Sequence, residues 1–285
     1  MNHLFRNLLR TSFLLILVLG IHSCKPKGCL DPKATNYEPE AKVFDGNCEY
    51  GILNTEFIMN FSMRANGEEL AINEDFTDGN NHLLSISTFQ FYISDIELLK
   101  NGSRERLSEA QLIDLDTNLS ENPDAANFFP SIEFDAEPGV YSGFGFDIGV
   151  KADLNRIDPG IYELDEPLST SPNMYWGWKS MYIFVKIEGE FDSDGDGQKD
   201  KPFFFHTGLD ELFLELEDFN TSFEILENQK KTMEIGIDVE KVFTQLNLDQ
   251  YFQTHTTVED PNTGLLSADT ASQRFTESLG SSFSY

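Results

Sequence analysis

Residues 144–150 read Phe144-Gly145-Phe146-Asp147-Ile148-Gly149-Val150, with a large apolar side chain at every second position. On an extended chain those side chains share one face, and Gly145, Asp147 and Gly149 take the other. A helix would scatter them around its axis. The same period of two recurs in Phe57, Met59, Phe61 and Met63, in Met181, Ile183, Val185 and Ile187, and in Met233, Ile235, Ile237 and Val239. These segments are expected to be half-buried strands. Further strands are expected at 84–99, 110–116, 202–207 and 221–227, with turns such as Glu227–Lys231 joining neighbours as hairpins. Helical spacing emerges only after Asp238, at about 239–252 and 264–278. With no alternation of strands and helices along the chain, the expected fold is all-β, an antiparallel β-sandwich with one or two short C-terminal helices.

Three segments precede or make up this body: residues 1–23, 24–50 and 51–285. The first resembles a bacterial lipoprotein signal. Arg6 and Arg10 open it, an apolar stretch runs from Phe13 to Gly20, and Ile21-His22-Ser23 leads into Cys24. The stretch is too short to span a bilayer, and a cysteine at the cut site implies lipidation of Cys24 rather than simple secretion. The lipid on Cys24 would tether the chain to a membrane. Lys25 follows, with no acidic residue there to favour inner-membrane retention, so an outer-membrane lipoprotein is expected, facing the periplasm or the surface. Of three cysteines, Cys29 and Cys48 then remain, and an exported protein can pair them. Residues 25–50 are too few for a core of their own and need such a staple.

The chain carries 49 acidic and 20 basic residues. Removing residues 1–23 takes away Arg6 and Arg10, so the mature charge is 18 − 49 = −31. That sign disfavours nucleic acid and favours cations. The strongest cation motif is Asp192-Ser-Asp194-Gly-Asp196-Gly-Gln198-Lys-Asp200. Carboxylates at loop positions 1, 3, 5 and 9, with the Gln198 carbonyl at 7, suit calcium. Phe203 stands where an EF-hand has its bidentate Glu, so the expectation is a structural clamp rather than a sensor.

Three histidines survive removal of the signal: His82, His206 and His255. Trp176 and Trp178 would share a face of a strand. Imidazoles suit copper, but spacing alone assembles no site. The run Phe91-Tyr-Ile-Ser94-Asp-Ile-Glu-Leu98, then Asp114-Leu-Asp116, Pro138-Gly-Val-Tyr141, Phe146-Asp-Ile-Gly149, Met174-Tyr-Trp-Gly-Trp-Lys-Ser-Met-Tyr182 and Phe205-His206-Thr-Gly208 resembles the MbnP-like copper-binding family over roughly residues 55–280. The resemblance implies a β-sandwich that binds copper through histidines. It implies His206 as first ligand, His82 as second and His255 as third. It also implies Trp176 or Trp178 as a neighbour that a diheme peroxidase partner oxidises to kynurenine. Met181 departs from the family block, which commonly has glycine there. That puts the local backbone in question and offers a thioether as an additional ligand, although core packing is the favoured role.

No nucleophile elbow, free thiol or phosphate loop is present, so a non-catalytic protein is expected. The two functions left open are copper acquisition, storage or delivery, and a calcium-stabilised adhesion or carbohydrate-binding module without copper.

Overall fold

The computed structural model describes residues 25–32, 34, 36–48, 55–115, 130–170, 172–177, 180–259, 262–263 and 266–285. The signal segment, Cys24 and Trp178 lie outside the described residues. The chain divides into two compact units, Met1–Leu53 and Asn54–Tyr285.

In the first unit, Lys27–Gly28 pairs in parallel with Val43–Phe44. A disulfide joins Cys29 to Cys48, closing a separation of 19 residues. The buried apolar residues described here are Cys29, Ala34 and Ala41, too small a set to hold a fold without the cross-link.

The second unit is all-β, with its two principal helices near the C-terminus. One sheet runs in the order Gly143–Ile148, Leu83–Lys100, Met181–Phe191, Lys201–Gly208, Gln253–Thr254. The other runs Phe283–Ser284, Lys230–Asp238, Glu56–Ala65, Glu68–Leu70. Aromatic side chains interlock between them: Phe61 meets Phe91 at 5.9 Å and Phe146 at 5.7 Å between ring centroids. Such contacts join the two faces into one core.

The sheets are not wholly antiparallel. Lys230–Asp238 lies parallel to Glu56–Ala65 over nine paired residues, from Lys230 opposite Glu56 to Asp238 opposite Arg64. Gln253–Thr254 also pairs in parallel, with Phe204 and Phe205. The strand Met181–Phe191 is likewise more than half-buried: besides the expected inward set, Tyr182 and Phe184 are sealed off from solvent. The segment after Gly149 covers them. Tyr182 donates its hydroxyl proton to the Leu168 carbonyl at 2.6 Å, and Phe184 packs so close to Gly149 that a Cβ there would sit 2.6 Å from its ring.

The helices are Val239–Leu246 and Thr270–Gly280: the first stops short of the expected 252, and the second starts later than the expected 264 and runs on to Gly280. Asp238 caps the first through the Lys241 N–H, and Asn247 stops it in the left-handed conformation. Asp269 caps the second through the Ser272 N–H at 2.7 Å.

Candidate metal centre

Along Lys201–Gly208 the inward residues are Phe203, Phe205 and Thr207, which leaves Phe204 and His206 on the opposite face. The parallel register pairs Phe204 with Gln253 and Phe205 with Thr254. One step further along that register, His255 comes beside His206, with ring centroids 5.2 Å apart. The hairpin of Tyr175–Trp176 onto Met181–Phe191 delivers the indole of Trp176 to the same place. Its ring lies 5.8 Å from His206 and 5.8 Å from His255. Phe204 stacks on His255 at 4.7 Å and 29°. Two imidazoles and an indole from three segments thus converge on one sheet face.

Glu188 completes the group. On the neighbouring strand Lys186 pairs with His206, and Glu188 lies two residues further on the same face. Its Oε1 is 2.7 Å from His206 Nε2. When that nitrogen donates its proton to the carboxylate, Nδ1 keeps its lone pair. Burial depresses the His206 pKa, opposed by the Glu188 contact and reinforced by His255 and Lys186, and the net shift is downward. His206 is therefore neutral at pH 7, the form that binds metal. A cleft of about 540 Å³ opens alongside, lined by Asn73, Ser85, Ser87, Glu188, His206 and His255 among others.

His82 does not join this group. Its Nδ1 faces Asp78 at 3.0 Å and its Nε2 faces Asp249 at 3.2 Å. A carboxylate at each end of one ring calls for two N–H donors, hence an imidazolium, which has no lone pair for a metal. Burial alone would lower its pKa, but Asp78 and then Asp249 outweigh that and raise it. Phe191 abuts the ring edge-on at 5.7 Å.

Met181 adopts φ +65°, which explains why glycine suits that position. Its sulfur accepts from the Tyr175 hydroxyl at 3.4 Å, and it lines a separate cavity with Ser180 and Leu209.

In the acidic loop, Asp192, Asp194 and Asp196 each place a carboxylate oxygen within 4.8 Å of the others. Asp200 turns instead to Ser193, accepting from its N–H at 2.9 Å and its hydroxyl at 3.2 Å. Gln198 donates its N–H to Asp196 at 2.9 Å. Burial of the Asp192 carboxylate opposes ionisation, but the N–H groups of Gly197, Gly195 and Asp194 outweigh it and hold its pKa below the ordinary value.

Glu188, Phe204 and Thr256 were not singled out from the sequence as parts of a centre. For Glu188 a signal exists: Phe204 and His206 alternate outward on one strand, and Glu188 and Lys186 do so on its neighbour.

No curated protein matches the chain. A solved structure described as MbnP from Methylosinus trichosporium is similar at 17% identity and TM-score 0.45, covering 66% of this chain and 77% of that one. The MbnP family model matches residues 54–260, more than half of the chain and the whole of the sheet face just described, and the chain belongs to the MbnP family.

Proposed function

We propose that this protein binds Cu(I) at His206 and His255, beneath Trp176, as a non-catalytic carrier in copper acquisition, storage or delivery. The observation that carries this reading is the 5.2 Å approach of the two imidazoles with Trp176 at 5.8 Å from each. Imidazoles with few competing ligands suit a soft monovalent ion over hard cations. The low pKa of His206 and its carboxylate partner support the same assignment. Trp176 is the residue that a diheme peroxidase partner would oxidise to kynurenine, which mass spectrometry of protein isolated from its host would reveal.

Competition with a chromophoric Cu(I) chelator tests the core of the proposal. His206→Ala and His255→Ala should each weaken binding by about tenfold or more, while His82→Ala should leave it alone. Undiminished affinity in both of the first two variants would remove copper from the account.

Calcium is proposed at Asp192, Asp194 and Asp196 as a clamp on the turn between Met181–Phe191 and Lys201–Gly208. The proximity of three carboxylates supports it. Lipidation of Cys24 at the outer membrane completes the proposal. Processing that is blocked by globomycin, with the mature protein in the membrane fraction, is the expected outcome, and a soluble mature form would end it.

A further inference from the structure

Among the described residues, positive φ outside glycine falls mostly on Asn and on Asp95, which tolerate it. The exceptions are Met181, Leu209 and Thr256. Two of them adjoin the candidate metal centre, Met181 by pairing with Trp176 and Thr256 by following His255 directly, whereas Leu209 shares the separate cavity with Met181. Thr256 is the most unusual. A β-branched residue at φ +77° is an outlier for its type and persists only where its surroundings over-determine it.

The surroundings do so here. Thr256 is fully buried. Its N–H donates to Thr254 Oγ1 at 2.9 Å. Its carbonyl accepts from the Asp269 N–H at 2.9 Å and from the Ser272 hydroxyl at 3.1 Å. Its own hydroxyl donates to the main-chain carbonyl of His206. Thr254 in turn donates to the Asp269 carboxylate at 2.6 Å. Each polar group of Thr256 is used, and one of them grips the backbone of the facing histidine. His255, between Thr254 and Thr256, has an exposed side chain, so burial does little to fix its ring. Glycine would relieve the backbone at position 256 but would lack the hydroxyl that reaches His206.

We propose that Thr256 is a positioning residue for the metal centre: its left-handed corner, tied by the hydroxyl to the His206 carbonyl, pre-sets the His255 ring against His206 and Phe204 before any ion arrives. Ordering the ligand in advance lowers the entropy lost on binding. The inference rests on the copper reading for its purpose, but not for its geometry.

The test uses the full mature chain as wild type, Thr256→Gly and Thr256→Ser. In metal-free protein, the ring of Phe204 should shift the His255 proton resonances by its ring current. That shift should collapse in Thr256→Gly and persist in Thr256→Ser. Cu(I) affinity should fall about tenfold in the glycine variant and stay within about threefold of wild type in the serine variant. The thermal midpoint of Thr256→Gly should hold, because relief of the backbone offsets the lost hydrogen bond. A His255 shift that survives in Thr256→Gly overturns the proposal. So does a serine variant that behaves as the glycine one, or a midpoint that drops in step with affinity, which would mark a structural role alone. If wild type does not bind Cu(I) but the ring shift follows this pattern, the copper reading fails and the positioning role stands.

Discussion

Replacing Glu188 separates orientation of His206 from ligation by it. The carboxylate sits 2.7 Å from Nε2 and touches the ring on the side away from Nδ1. The contact is present before any ion binds, so only its strengthening on binding would contribute to affinity. A bound cation draws electron density from the imidazole and makes the Nε2 proton a better donor, which strengthens a bond to a charged acceptor more than one to a neutral acceptor. Hydrogen bonds to charged groups contribute about 1.5–3 kcal/mol against about 1 kcal/mol for neutral ones, so about 0.5–2 kcal/mol is the upper limit of what Glu188→Gln removes. The Glu188 side chain is 37% exposed, and solvent screening reduces this to about 0.5 kcal/mol, or roughly a two- to threefold loss. Glu188→Ala also frees the ring to rotate and to change tautomer, and the expected loss is about tenfold. Chelator competition at neutral pH, with the metal-free melting curve as control for folding, reads both. Alanine and glutamine variants that bind as tightly as wild type would refute the orienting role. A glutamine variant weaker than alanine would refute the ranking.

Asp147 offers a test in pH. Burial raises its pKa to about 6, with Asp95 and Glu215 adding to the rise and the Leu216 N–H opposing it. The native state therefore holds this proton more tightly than the unfolded chain, so stability falls as pH climbs from about 4 to about 6. Asp147→Asn should stabilise the protein by about 1 kcal/mol at pH 7, after allowance for screening at a half-buried site, and the gain should vanish near pH 4 in denaturant titrations. For the acidic loop, calcium at about 100 times its dissociation constant should add about 2.7 kcal/mol to unfolding. Asp194→Asn with Asp196→Asn should abolish that increment, and a midpoint indifferent to calcium would dismiss the clamp. Cys48→Ser should remove about 3 kcal/mol from the first unit by the entropy of its closed loop. Amide exchange should then accelerate in residues 25–48 with the sandwich unaffected; protection retained there would show that the unit holds without its staple.

What could be read in advance was local. The period of two in 57–63, 144–150 and 233–239 belongs to each strand by itself, and Asp238 marks a helix start by chemistry within a turn of chain, whereas the second helix starts after Asp269 rather than at the expected 264. Burial of Tyr182 and Phe184 was invisible because the cover comes from the segment after Gly149, and nothing in Met181–Ile187 encodes that. Parallel pairing of Lys230–Asp238 with Glu56–Ala65 was hidden for the same reason: apolar alternation names a face but not a partner. The choice between His82 and His255 turned on such a non-local fact. His82 lies four residues from Asp78, and that short spacing commits it to an ion pair. His255 reaches His206 only because Gln253 and Thr254 join the sheet beside Phe204 and Phe205 in one register. A slip of one residue there would turn His255 to the opposite face and leave His206 with Trp176 alone. The candidate metal centre thus depends on a two-residue parallel bridge, and Thr256, strained and with every polar group bonded, stands at the end of that bridge.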